Sequence, residues 1–346
     1  MKEKFNWAIN WKDGMKINSS HFEAERRYFQ SLAKIYGGIE IFDHNFGLIS
    51  DQLQDDMQYS IRNDSLQLEK YYGISRTGQV FYINEQNNET LSKIDLKELK
   101  DKYEDGDLIQ VYLRIDNHSN IVFGNIDNEE FPVRYPYSSG EYSLTHMRFD
   151  MSLPIDSLDM TVPILLLKRE GDVLRVDDDY IPPSASNLAH PSLRERHNQL
   201  AHDNFKLASY NSEIAQKISA NPHGSFLESN IKVLSTQMAF FIANYLDEFN
   251  ENYISKSPKE IIVFYKRMNR IINACLISMQ NKEQTIQYMS EWAGLPVQGF
   301  LESLDTMNNM KYDHLNINKC LTEIEDYVNM ITGLFGRLKE LNYVEE

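Results

Sequence analysis

The chain is short of basic residues. Against 51 Asp and Glu it sets 35 Lys and Arg, a net charge of −16 at pH 7, and no stretch gathers its cations into a cluster. Neutralising phosphates needs such a cluster, so nucleic acid is excluded as a partner. Long apolar runs are missing as well. The longest uncharged ones, such as Met238 to Ala243, fall far below the roughly 20 residues a membrane helix needs. Residues 1–16 hold no apolar block of the kind a signal peptide uses. These absences predict a cytosolic protein. Cysteine is scarce, with only Cys275 and Cys320, each inside a helical pattern. That excludes a disulfide framework and leaves two small buried thiols. There is no glycine-rich phosphate loop, no Gly-x-Ser-x-Gly elbow and no paired Cys-x-x-Cys. His44, His118 and His146 stand alone in the sequence, and no nucleophile, base and orienting group can be nominated together. The expectation is a protein without catalytic residues, cofactor or metal.

What is present suffices for two domains with sizeable cores: 346 residues, 42% hydrophobic and 25% charged. The apolar period changes once along the chain, across Tyr180 to Leu193. Before this joint apolar residues alternate as in strands, and after it they recur every three or four as in helices. Pro182 and Pro183 bar a helix from running through, biasing Ile181 away from the α region. Pro191, two residues before the first helical apolar residue Leu193, sits where a helix start accepts proline.

In the N-terminal half, Phe5 to Ile9 reads as an opening strand and Trp11 to Met15 as a turn built on Asp13-Gly14. Ser20 and Glu23 form a capping box for a helix with Phe22, Phe29, Leu32, Ala33 and Tyr36 on one face, stopped by Gly37-Gly38. His21 and Glu25 lie one turn apart, a spacing that could hold a metal, but no third ligand is in reach and capping is preferred. From Phe46 to Val176 the signals are strands: Leu66 to Tyr72, Val80 to Ile83, Ile121 to Phe123, Tyr142 to Phe149 and Val162 to Leu167. The clearest alternation sets Ile109, Val111, Leu113 and Ile115 against Gln110, Tyr112 and Arg114, one face buried and one wet. Asp177 to Asp179 reads as a solvated turn rather than a calcium loop. Residues 1–183 are therefore expected to form a β-sandwich. Tyr135, Tyr137 and Tyr142 are candidate contact aromatics, or else ordinary sandwich-edge residues.

In the C-terminal half, Leu193, His197, Leu200, Asn204, Leu207, Asn211, Ile214 and Ile218 follow a heptad spacing. Two readings stay open. His197, Leu200, Asn204, Leu207 and Asn211 could be trimer contacts whose polar members fix register, or a shifted stripe of Leu200, Ala201, Phe205, Ala208 and Ala215 packs while the Asn residues face water. Further helices carry stripes from Leu227 to Tyr245, Ile261 to Met279 and Ile317 to Leu338, with a shorter segment ending near Met310. Residues 184–346 are expected to form an elongated helical bundle. Phe240, Ile242, Leu246, Ile262, Phe264, Ile271 and Leu276 flank these stripes, and a four-helix bundle would leave some of that surface for other subunits to cover.

Two motifs resemble the TssK family of type VI secretion baseplate subunits. Near the start they are Trp11, Asp13, Gly14, Met15, His21, Phe22 and Arg26 or Arg27; at the joint they are Tyr180, Ile181, Pro182, Pro183, His190, Pro191 and Leu193. Asp13 stands where the family commonly has Glu, and Ser19-Ser20 replaces a Pro-Gln pair. The resemblance implies an α+β, multidomain homotrimer, with a β-sandwich shoulder and a helical neck. It implies the wedge subunits TssF and TssG as partners, and docking of a C-terminal head on the membrane-side proteins TssL and TssM. It also implies a cytoplasmic place at the inner face of the membrane. With the chain ending at Glu346, a full head is expected to be absent or reduced and the membrane route to differ. Alternative readings are a phage-like receptor-binding or tail-fibre adaptor, and an unrecognised hydrolase on a β-sandwich.

Overall fold

The computed structural model describes residues 8–40, 43–49, 57–76, 78, 80–83, 93–120, 138–149, 161–220, 225–294 and 296–341. The chain is α+β and divides into two compact units, Met1–Ala185 and Ser186–Glu346. The expected strand at Phe5 to Ile9 falls largely outside the described residues; Ile121 to Phe123, Tyr135 and Tyr137 fall wholly outside them.

The first unit opens with helix α1, Ser19–Glu40. It begins one residue earlier than the capping box predicts. Ser20 is not the cap: its hydroxyl donates to the Asn18 side chain (2.6 Å), the His21 N–H bonds to the Asn18 carbonyl, and Glu23 pairs instead with Arg27 one turn on. The helix also runs through Gly37-Gly38, which therefore do not stop it. Phe22 and Phe29, expected on a buried face, are exposed.

Two antiparallel sheets follow. In the first, the long strand β3 (Ser65–Ile74) pairs with all the others: β1 (Gly47–Leu48), β2 (Gln58–Arg62), β4 (Val80–Ile83) and β5 (Ile94–Asp95). Asn63 and Asp64, both at positive φ, turn β2 into β3; these residue types accept the left-handed region most readily after glycine. The second sheet runs β7-β6-β8-β9, from β6 (Leu108–Asn120), β7 (Ser138–Arg148), β8 (Thr161–Glu170) and β9 (Val173–Val176). Tyr142 links the sheets: its ring lies 6.2 Å from Phe81, and its hydroxyl accepts from the Tyr82 N–H. It is buried, so it is not an exposed contact aromatic.

One short helix was not signalled by periodicity. Helix α2, Leu96–Lys102, is capped by Asp95, whose carboxylate accepts from the Lys97 N–H, and it buries Leu96 and Leu99. Its C-terminal carbonyls at Lys100 and Tyr103 receive the Arg169 guanidinium, which ties the helix to the β8–β9 hairpin.

Among the described residues the second unit contains six α-helices: α3 (Pro191–Ser219), α4 (Phe226–Asp247), α5 (Lys259–Ser278), α6 (Lys282–Ala293), α7 (Val297–Asn309) and α8 (Ile317–Glu340). Helix α3 packs on α4 and α8. A reciprocal box of Ser225 and Glu228 opens α4, and Ser257 accepts from the Lys259 N–H at the start of α5. Between them a π-helical turn, Glu248–Asn252, brings Phe249 into the core. There its ring lies 4.8 Å from Phe264 and 5.7 Å from Tyr253, pairs contributing about 0.5–1.5 kcal/mol each beyond area.

The surplus apolar residues are mostly covered by this chain itself. Ile242, Ile262, Phe264 and Leu276 are buried, and among the seven only Phe240 is strongly exposed. The expectation had counted four helices and a segment, whereas α6 and α7 supply further covering surface. Asn269 on α5, for example, donates to the Leu304 carbonyl of α7.

Candidate functional site

The joint is held from both sides of its double proline. Leu48 in β1 donates its N–H to the Pro183 carbonyl (2.8 Å) and accepts at its own carbonyl from the Ala185 N–H (2.7 Å), with Leu48 and Ser184 paired in parallel. Gly47 makes this approach possible. Its φ is +97°, and an added Cβ would lie 1.9 Å from the Pro183 oxygen. Ile181, Pro182, Pro183 and Ser184 are all buried.

Tyr180, just before the prolines, is fixed through Gln110. The Gln110 amide donates to the Leu165 carbonyl of the neighbouring strand (2.8 Å) and to the Tyr180 hydroxyl (3.2 Å). Alternation alone assigned Gln110 to the wet face; it is buried, because both faces of β8 from Thr161 to Leu167 are covered and its partner strand shares that cover. Burial holds the Tyr180 phenol well above its ordinary pKa, the Gln110 donation opposing it. Asp177 to Asp179 form the turn, with the Asp179 N–H bonded to the Asp177 carboxylate.

Past the joint, Asn187 donates to the Tyr253 carbonyl (2.8 Å) and Lys256 carbonyl (3.0 Å). Pro191 takes the first turn of α3 behind His190, and Leu193 is fully buried. The five residues nominated as trimer contacts, His197, Leu200, Asn204, Leu207 and Asn211, are all buried against this chain's own helices. His197 stacks on Phe249 at 4.9 Å, and its Nε2 donates to the Phe249 carbonyl (2.9 Å). Asn204 accepts from the Tyr265 hydroxyl (3.1 Å), and Asn211 donates to the Leu207 carbonyl one turn back (2.8 Å). A heptad seam specifies helix-on-helix packing without saying whose helix, and here the partners are intrachain. The competing stripe points outward: Phe205 is exposed and Ala201, Ala208 and Ala215 are half-buried.

At the N-terminal motif, Gly14 sits at φ +77° in a turn closed by the Met15 N–H on the Lys12 carbonyl. Asp13 is exposed and Met15 half-buried. Trp11 folds back on α1, its ring 5.8 Å from His21 and 6.1 Å from Phe22. The Glu25 carboxylate accepts the Ile9 N–H, which occupies the group that metal spacing had singled out. No set of three or more His, Cys, Asp or Glu side chains is gathered as a metal would need among the described residues.

One cleft of about 350 Å³ opens beside α2, lined by Lys102, Tyr103, Glu104, Asp107, His146 and Arg148 among others. His146, solitary in the sequence, meets the Tyr103 hydroxyl at 2.9 Å. Burial and nearby Lys102 push its imidazole pKa down, so it is neutral at pH 7, and burial with Asp107 pushes the phenol up. A neutral phenol–imidazole pair beside the Arg148–Asp107 ion pair (3.2 Å) can hold a polar group; it brings no activated nucleophile. No described helix is long and apolar enough to cross a membrane.

No family model matches the chain, and no curated protein matches it in sequence. Solved structures do match. A crystal structure of TssK is 14% identical with a TM-score of 0.56, the match covering 94% of this chain and 69% of that one. A chain of the cryo-electron-microscopy structure of the type VI secretion TssK–TssF–TssG baseplate subcomplex is 14% identical with a TM-score of 0.51, covering 97% and 99%. TssK from the type VI system of EAEC, in complex with a nanobody, is 12% identical at a TM-score of 0.52, covering 89% and 96%. At these identities the likeness is one of fold, and it extends over both units.

Proposed function

We propose that the chain is a structural component of a type VI secretion baseplate, a homotrimeric adaptor joining the baseplate wedge to the membrane-side complex. In this reading the first unit is a β-sandwich shoulder and the second a helical-bundle neck, meeting between residues 183 and 186. One observation carries it: the likeness to solved TssK structures spans 94% and 97% of the chain in two separate matches, through the strand-rich unit, the double-proline joint and the helices together. A likeness confined to one unit would support only a shared module. Proteins of the TssF and TssG type are the proposed partners, and the cytoplasmic side of the membrane the proposed place.

The test is co-expression of the full chain with the TssF and TssG wedge subunits of its own system. A complex that survives size-exclusion chromatography is expected. Wedge subunits that assemble with each other and leave this chain behind would overturn the reading.

A further inference from the structure

Strand β7 and the turn that leads from α2 into β6 enclose the cleft of about 350 Å³, at the lower end of the roughly 300–1,000 Å³ of ligand pockets. His146 and Arg148 are two apart in one strand and so point to the same face. Across from them stand Lys102, Tyr103, Glu104 and Asp107. The turn is tied in place. The Asp107 N–H bonds to the Glu104 carbonyl (3.1 Å), the Asp107 carboxylate accepts the Glu104 N–H (2.9 Å), and the Asp105 carboxylate accepts the Gly171 N–H of the β8–β9 hairpin (2.7 Å). Groups carried on it are therefore held ready for a ligand.

The charges of the cleft are not all paired. Arg148 and Asp107 meet at 3.2 Å. Lys102 is exposed, its Nζ lies 5.6 Å from the centre of the Tyr103 ring, and it makes no ion pair among the described residues. After burial, Lys102 is the second cause that holds the His146 imidazole neutral, and no carboxylate offsets it there. His146 Nδ1 is taken by the Tyr103 hydroxyl (2.9 Å), while Nε2 has no partner among the described residues. With the phenol donating to Nδ1, the neutral imidazole carries its hydrogen on Nε2. The space beside His146 is then bordered by an ammonium and an N–H, two donors without an acceptor. We propose that this cleft binds a carboxylate carried on a polypeptide, an acidic side chain or a chain terminus of a partner, held by the Lys102 ammonium and the His146 Nε2–H with its carbon stem against the Tyr103 ring. Hydrogen bonds of this charge-assisted kind are the strong ones. A cation would be repelled by Lys102, and Asp107 is already committed to Arg148 and the Glu104 N–H. One unpaired cation matches a monoanion, whereas a phosphate dianion would set its second charge against Glu104, which lines the same cleft.

Saturation-transfer NMR on the full chain tests this with three short peptides: acetyl-Ala-Met with a free terminal carboxylate, acetyl-Glu-Met-amide with a side-chain carboxylate, and uncharged acetyl-Ala-Met-amide. At least one carboxylate peptide should bind about tenfold more tightly than the uncharged one, the ratio expected of hydrogen bonds to a charged group. The tighter of the two tells side chain from terminus. Lys102→Gln should weaken that binding by about two- to fivefold, and Glu104→Gln should strengthen it. Both residues are exposed, so circular dichroism should be unchanged, and Lys232→Gln, at an exposed position of α4, should leave binding as it is. Equal binding of the uncharged peptide, or an unchanged affinity in Lys102→Gln, would overturn the site. Displacement of the peptide by inorganic phosphate at lower concentration than by acetate would overturn the assignment to a carboxylate.

Discussion

Replacing Gly47 by alanine isolates what the joint depends on. At φ +97° an L-residue is strained by about 1–2 kcal/mol regardless of surroundings. The new methyl would also lie 1.9 Å from the Pro183 oxygen and 2.8 Å from the Pro183 Cβ, atoms of rigid backbone and ring that cannot swing aside. The two segments must part, which weakens the Leu48–Pro183 and Ala185–Leu48 hydrogen bonds, at about 1 kcal/mol each. The total is about 3–4 kcal/mol. For a unit of this size each kcal/mol moves Tm by about 2–4 °C, so the first-unit transition should fall by about 6–16 °C. Gly106→Ala is the control: its φ is +87° but nothing lies within 4 Å of the added carbon, so only the conformational part, about 1–2 kcal/mol, is expected. Calorimetry gives the two shifts, and hydrogen exchange at the Leu48 and Ala185 amides shows whether the joint has opened. If Gly47→Ala costs no more than Gly106→Ala and both amides stay protected, the close approach contributes nothing and the reasoning fails.

Two further predictions concern the helical unit. Burial lowers the folded-state pKa of His197, the Phe249 bond opposing. The unfolded chain therefore takes the proton first as pH falls below about 6.5. Stability should be constant above that pH, decline below it until the lowered folded pKa is reached, and then level off; urea melts of His197→Gln at several pH values should show a shallower decline. Asn204→Leu should destabilise by about 1–3 kcal/mol because the buried Tyr265 hydroxyl loses its acceptor. Adding Tyr265→Phe should recover most of that loss in a double-mutant cycle. Because both residues are interior, the oligomeric mass should not change in either variant.

Much of the fold was legible wherever one physical signal dominated. The four-three spacing of α8 marked a stripe whose every member is buried, and of the two stripes left open on α3 it is the heptad that is buried throughout. The proline pair located the joint. What escaped reading depended on contacts distant in sequence. Gln110 reads as a wet residue by alternation, but its strand shares the cover of β8, and a β8 carbonyl 55 residues away satisfies its buried amide. Helix α2 is seven residues long, too short for a period, and its signal was the Asp95 cap alone. Gly37-Gly38 suggested a stop, yet glycine permits a left-handed turn without imposing one. The candidate trimer residues show a further limit: self-packing and cross-packing use the same spacing, so only the structure places these side chains in the interior of their own unit.

The turn from Phe249 to Lys256 also says something about the order in which this unit forms. It receives His197 from a position 52 residues earlier and Asn187 from 66 earlier, while the His190 cap of α3 makes no side-chain capping bond. The first helix can wind locally within microseconds, as isolated helices do. Its N-terminal end cannot settle until α4 has folded back and delivered the turn, and closing so long a loop must be met in entropy before any of these contacts exist. The start of α3 is therefore expected to be a late event in refolding, with amides near His190 gaining protection after those in its centre.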